Sequence, residues 1–167
     1  PEDIHAAVPY IKRLCEAMRI PVLEVAGYEA DDVIGTLAHK AANDGFEVFM
    51  VTPDKDYGQL VTDRVKIYKQ KGEGIEIVDR EAIKEHYGFD DPILVRDVLA
   101  LWGDASDNIP GVQGIGEKGA IKLVNQFGTV EQILEHTDEL TPKQRANVEA
   151  GAEQLRLSKR LASIVLD

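Results

Sequence analysis

Seven acidic residues stand in three short groups: Glu29, Asp31 and Asp32 in "GYEADD", Asp54 and Asp56 in "TPDKD", and Asp104 and Asp107 in "GDASDN". Each group has an ordinary explanation. Acids at a helix start cap free N–H groups and gain from the helix dipole. Pro-Asp pairs form polar turns. Asp and Asn end helices through local side-chain hydrogen bonds. These explanations fall short at each station. Three acids in four residues exceed what capping needs, and adjacent carboxylates repel by roughly 4 kcal/mol at ~4 Å and an effective dielectric of ~20. Asp54 and Asp56 follow an apolar run read as a strand, on the rim where open α/β sheets bind ligands. Asp104 and Asp107 follow a helical pattern, where the dipole disfavours negative charge. Hard oxygen ligands of this kind suit Mg²⁺ or Mn²⁺. Two such ions ~4 Å apart stabilise both the attacking and the leaving oxygens of a phosphoryl transfer. His5, His39, His86 and His136 are scattered, and Cys15 is the single cysteine, so no zinc-type cluster is present in the sequence.

The last acidic group runs directly into "IPGVQGIGEKGAIKLVNQFG". Gly114-Ile115-Gly116 reads as a tight turn opening a helix with an apolar stripe of Ala120, Leu123, Val124 and Phe127. Free N–H groups and the positive dipole end make such a turn an anion site. Ile109 and Val112 supply apolar anchors ahead of it, and Ile115 plugs between the glycines. This is a helix–hairpin–helix pattern, a backbone reader of DNA phosphates. A dinucleotide-binding fingerprint would need a strand before the glycines, and "DASDNIPGV" is not one. Carboxylates repel phosphate, yet the two features are neighbours. They are compatible if the turn holds a nucleic-acid backbone at one point and the acids hold cations at another.

The elements that must position these groups can be read from periodicity. Residues 3–19 read as helix, with Ile11, Leu14, Cys15 and Met18 on one face and Pro9 starting or kinking it. Cys15 is expected to be a buried thiol. "PVLEV" (21–25) reads as a strand. Residues 30–44 form the strongest helix, with a stripe of Ala30, Val33, Ile34, Leu37, Ala38 and Ala41 ended by Gly45. A strand over 46–52, a helical turn at 59–61, and strands over 64–70 and 74–79 around "KGEG" follow. Beyond Asp79 the pattern is helical: 80–87, 91–102, 117–127, 129–136, and one or two helices between 142 and 164. Asp79, Asp91, Thr129 and Thr141 are the expected N-caps, with Pro92 and Pro142 at first helical positions. The fold class is therefore α/β: a mainly parallel sheet part over 1–89, carrying Glu29 to Asp56, then an all-helical part over 90–167, carrying Asp104, Asp107 and the hairpin 111–118.

Composition bounds this reading. With 167 residues, 44% of them hydrophobic, the chain can bury a core. No run approaches a membrane span and no signal-peptide pattern opens the chain, so no membrane partner is expected. One cysteine fits a reducing compartment. A net charge of −11 is the wrong sign for a nucleic-acid binder unless metal cations reverse the local field. On composition alone a generic acidic protein is the simpler account.

Together, "GYEADDVIGTLA", "TPDKDYGQLV" and "LALWGDASDNIPGVQGIGEKGAIKLV" resemble, in this order, the 5′→3′ exonuclease domain of bacterial DNA polymerase I, of the flap endonuclease superfamily. The resemblance covers essentially the whole chain. It implies that Glu29, Asp31, Asp32, Asp54, Asp56, Asp104 and Asp107 are the catalytic acids holding two Mg²⁺ (or Mn²⁺) ions. It implies that Gly111, Gly114, Ile115, Gly116, Lys118 and Lys122 belong to a helix–three-turn–helix element gripping duplex DNA, with K⁺ on the Val112 and Ile115 carbonyls. The implied partners are DNA with 5′ ends or flaps, and a polymerase domain in the parent chain. The implied roles are primer removal and repair, in the bacterial cytoplasm at the nucleoid. Two departures stand out. Gly119 replaces a usual threonine. The chain also opens at Pro1, after the point where the family carries a first strand with a further Asp, a second Asp and a basic arch. It thus reads as the C-terminal two-thirds of a truncated domain, with weak activity and a tendency to self-associate through unpaired strand edges. Two rivals are a non-catalytic, structure-sensing DNA-binding module and a receiver-type phosphotransfer domain using Asp31, Asp32 and Asp54. The second leaves Asp104, Asp107 and the hairpin unexplained.

Overall fold

The computed structural model describes residues 2–166. Helices α1 (Glu2–Ala17) and α2 (Ala30–Asn43) precede a three-stranded sheet, β1 (Val48–Val51), β2 (Val65–Lys71) and β3 (Gly74–Val78). Helices α3 (Arg80–Tyr87), α4 (Val95–Trp102), α5 (Glu117–Phe127), α6 (Val130–Glu135), α7 (Pro142–Ala150) and α8 (Ala152–Leu161) follow. A 3-10 turn at Asp56–Leu60 leaves the sheet, and another at Pro92–Leu94 leads into α4.

Local chemistry sets the boundaries. The Asp79 carboxylate accepts from the Ala82 N–H at 3.0 Å and starts α3, which closes on Gly88 at φ +87°. Asp91 accepts from Ile93 N–H, Thr129 from Gln132 N–H and Thr141 from Gln144 N–H, so all four expected caps hold. Pro92 and Pro142 occupy first-turn positions, where a missing N–H costs nothing.

The sheet is mixed, in the order β1-β2-β3. β1 runs parallel to β2 with Met50 opposite Ile67, and β2 and β3 form an antiparallel hairpin with Ile67 opposite Val78. The strand–helix alternation foresaw the parallel pair, and the "KGEG" turn supplies the antiparallel one. Met50, Leu60, Val61, Val65 and Ile67 continue without a break into Val95, Val98, Leu99 and Leu101 of α4, and from there into Leu123, Val124, Ile133, Val148 and Leu155. α4 is the central element, packed against α5, α6 and α8. Its Asp97, fully buried, accepts from the Val130 N–H at 2.8 Å and forms an ion pair with Lys159 Nζ at 2.8 Å, which joins α4, α6 and α8.

Three expectations are corrected. Residues 21–25 are not a strand: Val22, Leu23 and Val25 are exposed, and no strand among the described residues lies beside them to pair. The α2 stripe is rotated from the expected face. Ile34 and Leu37 are exposed, while Gly35 and Ala38 are buried, because Leu60, Ile164 and Leu166 press closely on Gly35. Cys15 is half-buried rather than buried, since Ile11, Leu14 and Met18 on the same face of α1 are exposed.

Candidate metal centre and nucleic-acid interface

The acids after β1 are placed by a chain of short hydrogen bonds. Asp54 N–H donates to Thr52 Oγ1 at 3.1 Å, and Asp56 N–H donates to Asp54 Oδ1 at 3.0 Å as the 3-10 turn begins. This folds Asp56 inward, where its Oδ1 is buried and has no hydrogen-bond partner. Asp104 arrives from the end of α4. Asp104 and Ile109 exchange both backbone hydrogen bonds, at 2.7 and 2.8 Å, and so clamp the 104–109 loop. Within it, Asp104 Oδ1 accepts from the Ser106 N–H at 2.8 Å and from the Ser106 hydroxyl. One carboxylate oxygen each from Asp56, Asp104 and Asp107 lies within 4.8 Å of the others. Two of the three stations thus converge.

The third station comes only part of the way. Burial, with smaller contributions from the charges of Asp32 and Asp54, raises the pKa of Asp31 from its ordinary value, but Asp31 is not among the three converging carboxylates. Asp32 is committed to backbone: Oδ1 accepts from Val165 N–H at 2.8 Å and Oδ2 from Glu29 N–H at 3.2 Å. Its carboxylate and Glu29 therefore serve the start of α2, and neither joins the cluster.

The electrostatics of the cluster are strained. Burial, with the charges of Asp54, Asp104 and Asp107, pushes the Asp56 pKa up to about 6, against the opposing pull of Lys55. The hydrogen bonds from Lys55 and Ser106 hold Asp104 down at about 2. Burial works against the charged form of Lys55, yet its hydrogen bond to Asp104 and the fields of Asp56, Asp104 and Asp54 outweigh it and keep its pKa above the usual lysine value. The donor set is all oxygen, three carboxylates converge, and one buried oxygen is unpartnered. That combination fits a hard divalent cation.

Lys55 was missed in the sequence. It forms ion pairs with Asp104 and, at 3.7 Å, with Asp56. A lysine flanked by two candidate ligands in "DKD" was the available signal.

The hairpin begins where the acid loop ends. Gly111 (φ +61°) and Gly114 (φ +79°) take left-handed conformations, and the Ile115 N–H donates to the Val112 carbonyl at 3.0 Å. Ile109, Val112 and Ile115 are buried as anchors. Gly116, extended at φ −89°, precedes α5 without a side-chain cap, and its Cβ side is open. The first N–H groups of α5 are thus free for an anion. Lys118 and Lys122 are exposed on α5. Gly111 faces the protein instead: the space a Cβ would fill is taken by the Trp102 and Gly103 backbone. α7 supports the turn, with Asn147 Nδ2 donating to the Gln113 carbonyl at 2.7 Å and Lys143 beside Gly114.

Comparison with known families decides the lineage. Residues 1–88 match the family described as 5'-3' exonuclease, N-terminal resolvase-like domain, and residues 91–167 match 5'-3' exonuclease, C-terminal SAM fold. The chain belongs to the 5′-3′ exonuclease family. DNA polymerase I of Bacillus subtilis is 44% identical over 170 residues, which is 100% of this chain and 19% of that protein. The thermostable DNA polymerase I of Thermus thermophilus is 43% identical over 168 residues, covering 100% of this chain and 20% of its own length. This exonuclease-family chain therefore spans about one-fifth of those relatives. Among solved structures, the T5 D15 protein co-crystallised with metal ions superposes with a TM-score of 0.83 at 25% identity, over 98% of this chain and 62% of that one. A T5 D15 flap endonuclease complex with DNA and metal ions gives 0.80 at 26% identity, over 91% and 55%. The catalytic core of Rad2 shares the fold, with a TM-score of 0.58 at 21% identity, over 96% of this chain and 50% of its own. No described helix is long and apolar enough to cross a membrane.

Proposed function

We propose that this chain is the metal-holding and DNA-gripping part of a 5′→3′ exonuclease or 5′-flap endonuclease of the DNA polymerase I type, acting on DNA phosphodiesters near a 5′ end in primer removal and repair. The observation that carries this is the convergence of Asp56, from the turn after β1, with Asp104 and Asp107, on the loop that runs directly into the glycine hairpin. In this reading Asp56, Asp104 and Asp107, joined by Asp54 and Asp31, hold Mg²⁺ or Mn²⁺. The ions supply charge stabilisation for phosphoryl transfer. The remaining work falls to the chain itself. The N–H groups at the start of α5, with Lys118 and Lys122 beside them, hold a DNA backbone at a fixed distance from the cluster, so orientation is set before any chemistry. Ile109, Val112 and Ile115 keep the hairpin rigid while it does so. K⁺ on the Val112 and Ile115 carbonyls would stiffen it further. The division of labour, acids on 1–89 and hairpin on 90–167, belongs to the same proposal, as does a location with the bacterial chromosome.

Cleavage of a 5′-labelled flap duplex with Mg²⁺, by this chain and by the polymerase-length protein containing it, tests the reading. Product from the longer protein that disappears with Asp104→Asn supports it. Unchanged cleavage by that variant would remove the acids from the site.

A further inference from the structure

Lys55 stands between two members of the carboxylate cluster. Its ammonium donates a hydrogen bond to Asp104 Oδ2 and lies 3.7 Å from Asp56 Oδ1. It also sits 5.6 Å from the centroid of the Trp102 ring, a position that attracts a cation. Asp56 Oδ1 is buried with no other polar partner, so Lys55 is the positive charge facing it. A divalent cation held by Asp56, Asp104 and Asp107 would draw on these same oxygens. An ammonium and a metal ion cannot both occupy that space, because two cations ~4 Å apart repel by several kcal/mol at an effective dielectric of ~20.

We propose that Lys55 is a built-in counter-ion of the cluster, competing with divalent metal for Asp56 and Asp104 and, on metal loading, released from them within the cleft that it already lines with Trp102, Ala105, Asn108 and Pro110. The proposal rests on the metal reading above. In the cleft the freed ammonium is available to a phosphate oxygen, so one event both fills the centre and presents a cation to an anionic substrate. A divalent ion has the charge to displace the lysine, whereas a monovalent ion gains little by the exchange.

Two measurements on the chain test this. The first is Mn²⁺ affinity, from the electron paramagnetic resonance signal of free Mn²⁺, for wild type and Lys55→Gln. Removing the competitor should tighten binding about tenfold, the scale of a partly buried ion pair. The second is acetylation of lysines in the wild-type chain, quantified by mass spectrometry along a Mg²⁺ titration. Lys55 should become more reactive as metal binds, while Lys66, paired with Glu47 at 2.5 Å away from the cluster, stays constant. Equal or weaker Mn²⁺ binding by Lys55→Gln overturns the proposal alone, as does Lys55 labelling that ignores Mg²⁺. If the variant does not fold, the wild-type labelling decides. An absence of Mn²⁺ binding by wild type would overturn the metal reading and this proposal together.

Discussion

Gly103 and Gly111 meet backbone to backbone: a Cβ on Gly111 would lie 2.5 Å from Gly103 N, and one on Gly103 would lie 2.8 Å from Gly111 N. Both have positive φ, +85° and +61°. This contact closes the loop that carries Asp104 and Asp107 onto the root of the hairpin, so the acid loop and the hairpin form one piece.

Gly111→Ala should therefore be severe, because a methyl group meets backbone that has no room to move. We expect a loss of about 3 kcal/mol, from overpacking plus left-handed strain, with Mn²⁺ and DNA binding lost together. Gly114→Ala, whose Cβ would meet nothing closer than 3.6 Å, carries only the conformational cost of its φ of +79°, about 1 kcal/mol. Urea unfolding of both variants checks the ranking; equal costs would mean that the glycine contact does not hold the loop.

Gly116→Val is the clean probe of the hairpin as a binding surface. Gly116 has φ −89° and open space around its Cβ direction, and it is the N-cap of α5, so the loss of stability should stay within about 1 kcal/mol, that of a poorer cap. A β-branched side chain would nonetheless stand where a DNA phosphate must approach the α5 N–H groups. Duplex binding measured by fluorescence anisotropy should fall at least tenfold. Unaltered binding with an intact fold would show that DNA does not use this turn.

Asp56 gives a pH signature. Its carboxyl holds a proton up to about pH 6, against an ordinary value of 3.8, so the folded chain binds more protons than the unfolded one between those limits. Its contribution to stability is whole below pH 3.8 and is lost as pH rises through 6. Asp104 acts in the opposite sense: held at about 2, its stabilisation is present above 3.8 and is lost as pH falls toward 2. With chelator present, Asp56→Asn should gain on wild type by on the order of 2 kcal/mol between pH 4 and pH 8. Denaturant titrations at both pH values measure it, and a difference that does not vary with pH would refute the burial of that charge. Mn²⁺ affinity of wild type should fall below pH 6 for the same reason.

Gly119 stands in the first turn of α5 with helical neighbours and only Ile115 Cγ2 at 3.5 Å from its Cβ position. Nothing in the packing calls for glycine there. Gly119→Ala should stabilise the chain by roughly 0.5–1 kcal/mol through reduced freedom of the unfolded state. Thermal unfolding would register this as a rise of a few degrees; a fall would mean that α5 needs flexibility at its start.

Local rules carried most of the fold. Asp79, Asp91, Thr129 and Thr141 cap helices because capping depends on residues within one turn. The Ala120–Leu123–Val124 stripe was legible because α5 packs through a simple helical face. The α2 stripe was not, since its buried side is chosen by distant residues, Leu60, Ile164 and Leu166, pressing on Gly35. Among the acids, Asp56, Asp104 and Asp107 follow from strand ends and loop turns that converge. Asp32 was claimed by the Val165 N–H, 133 residues along the chain, a contact no spacing rule anticipates. Lys55 was hidden for a similar reason: its partner Asp104 lies 49 residues along the chain.

The side chain of Gln59 reaches across to the end of the chain, donating to the Ala162 carbonyl at 2.8 Å and accepting from Ile164 N–H at 3.0 Å, while Asp32 holds Val165. These are the last described residues of the helical half, and they are fastened to α2 and to the turn below β1. Neither half can open without losing these hydrogen bonds to the other, that between Gln59 and Ala162 being buried. Heat or urea should therefore find a single cooperative transition, with the acid stations and the hairpin lost in the same step. The hairpin would then have no partly folded form that outlives the Asp56–Asp104–Asp107 cluster.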